Sequence, residues 1–276
     1  MKPAKNRGMP IDAARKKEWA DRFRFYRASP GETEIDAWLK RFPKADLDIA
    51  ARLLDSVEVI SEPTIQAGYK RALTSVTGWH KKASLRQGRW VFTAFGKPGE
   101  SGLSMLRMFS EANGLTGAAH EALFKHIIEI PKLKLTAADT IVLVDDFAGT
   151  GRQVCQRWPT LAELIASEAR CFIVLTAATK NAIKKIQEQT ELEVIVDTVI
   201  QPNEDIFASS CIRFDDHERT AILQQCEKAD SKNPKGFGEC GLLYVLSHKT
   251  PNNSIPILHT NHNGWVGLFP RNLQQQ

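Results

Sequence analysis

Asp145 and Asp146 are adjacent carboxylates, followed after Phe147 and Ala148 by the small turn Gly149-Thr150-Gly151. Carboxylates accept hydrogen bonds and ligate hard cations. The pair therefore suits vicinal sugar hydroxyls, which donate, or a hydrated Mg2+, and is a poor neighbour for a bare phosphate. The turn has the opposite character. Glycine lets backbone N–H groups approach an anion closely, and a helix starting at Gly151 (Val154, Trp158, Leu161, Leu164, Ile165) presents its own unpaired N–H groups there. The helix dipole contributes ~0.3–1 kcal/mol when exposed and ~2 when partly buried, against ~8 for micromolar binding. Several N–H bonds, the Thr150 hydroxyl and a metal must therefore add to it. A ribose carrying a 5′-phosphate satisfies both halves. The competing reading is a buried strand, a capped helix and two solvated aspartates.

The elements that must position these residues are legible nearby. Ile141-Val142-Leu143-Val144 is an apolar run of the kind buried on both faces in parallel sheets. A second strand, at 90–95, runs into Gly96-Lys97-Pro98-Gly99-Glu100-Ser101-Gly102 and then a helix carrying Leu103, Met105, Leu106, Met108 and Phe109. This passage again offers amides and an ammonium to an anion, but Lys97 precedes the later glycines, unlike a Walker A loop. Strands at 171–176 and 192–196 flank a helix at 180–189, and this alternation predicts a parallel sheet. Leu242 to Leu246 reads as the last core strand, delivering Ser247-His248-Lys249 to the same sheet edge. There His248 is a candidate proton carrier, weighed against the commoner role of a bonded turn residue. His259, His262 and Trp265 are stacking candidates or surface decoration, and the polar loop 229–238 is the best candidate for mobility.

Ahead of the sheet, amphipathic patterns predict helices at 14–28, around Trp38 and Leu39, from Asp46 through Leu54, and from Pro63 through Leu73. This gives a division into an N-terminal helical region, 1–80, with a basic arm (Lys2, Lys5, Arg7, Arg15, Lys16, Lys17), and an α/β domain, 81–276. The arm reads as a solvated terminus or a nucleic-acid contact. Residues 115–139 read as a helix through His120, Leu123, Phe124, Ile127 and Ile128 and then a basic linker.

The chain has 276 residues and a net charge of +5, with no apolar run of membrane-spanning length and no apolar signal core. Its five cysteines are widely spaced, without a Cys-x-x-Cys pair, which argues for a reducing compartment and against zinc. Cytoplasm is the expected location, without membrane attachment.

At Asp145, Asp146, Thr150 and Gly151 the sequence resembles the type I phosphoribosyltransferases, whose signature is an apolar strand, two acidic residues and a Thr/Gly-rich loop. The resemblance implies an α/β fold: a parallel-sheet, Rossmann-like phosphoribosyltransferase core with the helical region before it. It implies that Asp145 and Asp146 hold the ribose hydroxyls of phosphoribosyl pyrophosphate and Mg2+, with His248 a further catalytic candidate. Gly149, Thr150, Gly151 and Arg152 then match the 5′-phosphate loop, and Gly96, Lys97, Gly99, Ser101 and Gly102 the pyrophosphate loop. Phe147, Ala148, Gly149 and Gln153 depart from the usual residues, and no flap is legible between the two loops. These features keep open a silent nucleotide sensor or partner-binding subunit. With Trp-Leu-Lys-Arg-Phe and His-Lys-Thr-Pro-Asn-Asn, the chain looks like a bacterial branch associated with anti-phage, retron-type defence. That resemblance implies a nucleotide or phosphoribosyl ligand and, as partners, a reverse transcriptase with its RNA–DNA product. Self-association stays open.

Overall fold

The computed structural model describes residues 10–96, 102–165, 168–262 and 264–272. The chain runs α1 (Ala13–Phe23), α2 (Glu32–Leu39), α3 (Leu47–Ser56), β1 (Glu58–Ile60), α4 (Glu62–Thr74), β2 (Trp90–Ala94) and α5 (Gly102–Ala112). It continues β3 (Thr140–Val144), β4 (Phe147–Ala148), α6 (Arg152–Ile165), β5 (Arg170–Thr179), α7 (Lys180–Gln189), β6 (Glu193–Ile200), α8 (Asp216–Ala229) and β7 (Tyr244–Leu246). Among the described residues no helix is long and apolar enough to cross a membrane.

Two compact units emerge. One joins Met1–Glu62 to Gln201–Gln276, and the other is Pro63–Ile200. These bounds differ from a division at residue 80. The reason lies in pairing: β1 forms a two-stranded parallel sheet with β7, so the first helices share a core with the chain's end.

In that first unit, α1 starts at Asp12, whose carboxylate accepts from Arg15 N (2.9 Å). The helix stops at Phe23, earlier than the apolar pattern suggests, and Arg24 to Ala28 form turns. Helix α2 is capped by its own first turn, Gly31 N–H donating to Glu34 (3.0 Å). Trp19, Phe23, Trp38 and Phe269 are buried together, with Phe23 edge-on to Phe269 at 5.0 Å. Each large apolar side chain so buried contributes about 2–3 kcal/mol. Trp38 and Trp265 both donate from Nε1 to the Ile257 carbonyl (2.9 Å each), and His259 Nε2 lies 3.1 Å from Ser254 O. Trp265 is therefore a core residue, and His259 a half-buried residue bonded to the backbone. The loop read as mobile is fastened: Phe237 N donates to Asn252 O (2.7 Å) and Asn253 Nδ2 to Phe237 O (2.8 Å).

The second unit is a five-stranded sheet in which every pairing is parallel, β2 beside β3, β3 and β4 beside β5, and β6 on β5's other side. Strand β3 is wholly buried, as its unbroken apolar run requires. Ile141, Leu143, Ile173 and Leu175 pack with Val154, Trp158, Ala182 and Ile186 of α6 and α7. Phe92 instead meets Phe109 of α5 and Phe124, at 5.1 and 5.5 Å. Residues 121–133 form short 3-10 turns, Glu121–Leu123 and Ile127–Leu133, not the α-helix the pattern suggested. Pro131 lacks the N–H a longer α-helix would need.

Candidate functional site

The acid pair interrupts one strand without displacing it. Phe147 and Ala148 lie opposite Ala177 and Ala178 at the same offset as Val144 opposite Val174, so β4 resumes β3 along the same side of β5. Between them Asp145 N donates to Val174 O (3.1 Å). The Asp146 carbonyl accepts from Thr176 N (3.0 Å), Ala177 N (3.3 Å) and Thr176 Oγ1 (2.7 Å). The strand therefore extends past the carboxylates before turning at Gly149.

The two acids are not equivalent. Asp145 is buried, 8% exposed, and its Oδ1 accepts from Asp146 N (3.0 Å), while Asp146 is half-buried. Burial pushes the Asp145 carboxyl well above the usual carboxylate range. The Asp146 charge and a side-chain hydrogen bond with Asp146 push the same way; the Asp146 N–H and the Arg157 guanidinium oppose them. Arg157 also lies over the Phe95 ring, 5.8 Å from its centre. Between them the two carboxyl groups offer several acceptors to the donating hydroxyls of a diol.

The turn after β4 is tied down from β5. Thr179 Oγ1 donates to Gly149 O (2.6 Å) and accepts from Ala182 N (3.0 Å), joining the turn to the start of α7. Gly151 has φ +66°, and a Cβ there would lie 2.9 Å from Ala182 O and 3.1 Å from Ile186 Cγ1. Packing against α7 thus requires this glycine whether or not an anion binds. Thr150 Oγ1 accepts from Arg152 N (3.3 Å), and Arg152 is exposed. Among the described residues nothing accepts from the backbone N–H groups of Thr150, Gly151, Gln153 or Val154. Four donors at the mouth of one 14-residue helix make an anion cradle, its local positive potential reinforced by the helix dipole.

The strand that leads into the second predicted loop ends beside the acid pair. Phe95 N donates to Val144 O (2.9 Å), so the chain leaves β2 beside Asp145. Gly96 has φ 138°, and a Cβ on Gly102 would lie 2.5 Å from Phe95 O, so the start of α5 lies against the end of β2. Lys97, Gly99 and Ser101 lie outside the described residues.

His248 is placed differently from its expectation. Strand β7 pairs with β1, not with the core sheet, because Tyr244-Val245-Leu246 completes the first unit's core. His248 follows it as a half-buried turn residue of the first unit, after Ser247, whose N donates to Ile60 O (2.9 Å) and whose O accepts from Arg27 N (2.8 Å). Asp145, Asp146 and the loop belong to the second unit.

Two residues near the acid pair are missed by motif reading. Tyr69 of α4, fully buried, donates from its hydroxyl to Asp145 O (3.0 Å), and Arg157 supplies the positive charge felt by Asp145. Tyr69 sits on an apolar stripe with Ile65, Ala72 and Leu73, so its pattern announces core and nothing more.

As to metal, no cluster of three or more His, Cys, Asp or Glu side chains able to hold an ion occurs among the described residues. The hard oxygens of Asp145 and Asp146 still fit Mg2+ in the way it is usually held, through one or two carboxylates with substrate phosphates and water completing the shell.

No curated protein matches this chain. Among solved structures, the AQ2163 protein from Aquifex aeolicus is similar at 14% identity and a TM-score of 0.33, covering 62% of this chain and 83% of that one. A hypoxanthine-guanine-xanthine phosphoribosyltransferase is similar at 13% identity and a TM-score of 0.31, covering 53% of this chain and 81% of that one. A family profile described as PRTase-CE matches residues 35–271, which takes in the acid pair, the turn and the helices on either side. The chain belongs to the PRTase-CE family and is a phosphoribosyltransferase-like protein.

Proposed function

We propose that the chain binds a ribosyl phosphate at the end of β3 and transfers the phosphoribosyl group from phosphoribosyl pyrophosphate, acting as an effector in bacterial anti-phage defence. One observation carries the binding half: among the described residues, four unclaimed N–H groups surround a bend two residues beyond the acid pair. The amides of Thr150, Gly151, Gln153 and Val154 receive the 5′-phosphate, and Asp146, with Asp145 behind it, receives the ribose hydroxyls. Mg2+, held by these carboxylates together with substrate oxygens, would supply positive charge to the departing pyrophosphate. The C1–O bond breaks with its electron pair leaving on the pyrophosphate oxygen, an acceptor nitrogen bonds to C1 through its lone pair, and the proton it carried passes to solvent. The test is pyrophosphate release that requires phosphoribosyl pyrophosphate and Mg2+. Asp146→Asn is expected to lose at least 100-fold of it, and full activity in that variant removes the pair from the mechanism.

A second reading, a silent nucleotide sensor, is favoured by one feature. Asp145 is turned inward onto Asp146 N–H and its burial disfavours the charged form, which suits a metal less than two solvent-facing carboxylates would. Calorimetry showing tight nucleotide binding without pyrophosphate release selects it. The defence role rests on sequence resemblance, as do the reverse transcriptase and RNA–DNA partners. Loss of phage protection in Asp146→Asn, with unchanged protein level, supports the role; undiminished protection counts against the site.

A further inference from the structure

We propose that Tyr69 is a positioning residue for the acid pair: its hydroxyl holds the Asp145–Asp146 peptide out of the regular ladder, in the orientation that presents Asp146 to a sugar. This inference rests on the ribosyl-phosphate reading of the site.

The ladder itself reveals the displacement. In a regular parallel pairing where Asp145 N donates to Val174 O, Thr176 N would return its bond to Asp145 O. Here Thr176 N donates to Asp146 O, which also takes Ala177 N and the Thr176 hydroxyl. The Asp145 carbonyl is thereby expelled from the ladder into a buried place, where an unpaired carbonyl is costly. The Tyr69 hydroxyl meets it at 3.0 Å.

The hydroxyl is held in place from two sides. The Tyr69 ring is edge-on to Phe109 at 5.6 Å, and Phe109 packs on Phe92 of β2 at 5.1 Å. Two residues along α4, Arg71 makes a bidentate bond to Asp197 of β6 (2.7 Å at both oxygens). Asp197 precedes Thr198, which lies opposite Ala177, so this anchor stands at the level of the kink. Gly68 permits the approach, since a Cβ there would lie 3.0 Å from Asp197 Oδ2. Helix α4 thus spans the strands where their ladder breaks, with Tyr69 on the displaced carbonyl.

The test is Tyr69→Phe, which keeps the ring and removes the hydroxyl. Two ligands are titrated, ribose 5-phosphate, which needs the acids and the bend, and inorganic phosphate, which needs only the bend. Amide exchange is followed at Thr176 and Ala177 and, as a reference, at Phe92 and Val142 in the regular ladder. Expected are a five- to twentyfold weaker ribose 5-phosphate complex, phosphate affinity within twofold, and at least tenfold faster exchange at Thr176 and Ala177 alone. Ribose 5-phosphate affinity unchanged in Tyr69→Phe, or both affinities falling by one factor, overturns the proposal. Should the native protein bind no ribose 5-phosphate, the functional reading fails separately. The exchange rates then decide Tyr69 alone, faster exchange supporting its hold on the kink and unchanged exchange overturning it.

Discussion

Two buried aspartates stand at the two ends of β3, and they are treated in opposite ways. Asp139, just before the strand, accepts from Arg89 N (2.7 Å), Thr136 N (2.8 Å) and the Arg89 guanidinium (2.7 Å). The Arg89 guanidinium holds its carboxyl far below the usual range, against the effect of burial. Asp145, just after the strand, has an acid for a neighbour and is pushed far above that range by burial. Five residues separate a satisfied carboxylate from a frustrated one. The first closes the amino end of a sheet. The second stores unfavourable electrostatics at the end where open α/β sheets bind ligands, and such cost is retained where function uses it.

Asp139→Ala breaks the comparison at its satisfied end and should show the largest effect. It removes the acceptor of two backbone donors and one partner of the half-exposed Arg89 guanidinium, a loss of about 2–3 kcal/mol at pH 7 in urea unfolding. The sign with pH follows from a depressed folded value. The stabilisation is present above the ordinary carboxylate pKa of 3.8 and fades as pH falls below it, so the variant and the native protein should converge in acid.

Asp145→Asn should move stability the other way, by about 1–2 kcal/mol in favour of the folded state at pH 7. Because the folded carboxyl is raised, its cost is absent below pH 3.8 and grows as pH rises above it. The gain in melting temperature should therefore be present at pH 7 and gone near pH 4. A destabilised Asp145→Asn at pH 7 would show that burial and the Asp146 charge do not dominate there.

Gly151→Ala sharpens the contrast on the ligand side. Its positive φ and the nearby Ala182 carbonyl predict a loss of about 1–2 kcal/mol. Weaker phosphate binding should accompany it, seen by NMR titration of the Arg152 and Gln153 amides. The smallest effect belongs to an exposed ion pair. Arg107→Ala, which frees Glu111 on the surface of α5, should change stability by less than about 0.5 kcal/mol, because solvent screens such pairs.

What was legible in the sequence was whatever has a local cause. The β-branched run before Asp145 is a wholly buried strand, and the pattern at 180–189 is helix α7. The acid pair and turn likewise announce themselves, because ligand chemistry demands those residue types in sequence order. What escaped is set by partners far along the chain. Glu58-Val59-Ile60 carries no strand signal of its own and becomes one only beside Tyr244-Val245-Leu246. That pairing draws β7 out of the core sheet and His248 with it. Tyr69 was hidden because an apolar helical stripe accounts for its ring, while the carbonyl its hydroxyl meets exists only once the ladder is broken. Gly151 was read as a phosphate glycine, but α7 makes its own demand on that position.

Calorimetric titration of phosphoribosyl pyrophosphate with Mg2+ into the native protein and into Asp146→Asn tests the central claim most directly. The expected result is saturable binding by the native chain, weakened at least tenfold in the variant while its melting temperature stays within a few degrees. Absence of binding by the native chain, or equal affinity in both, would contradict the assignment of the strand-end aspartates and the following bend to a phosphorylated ribose.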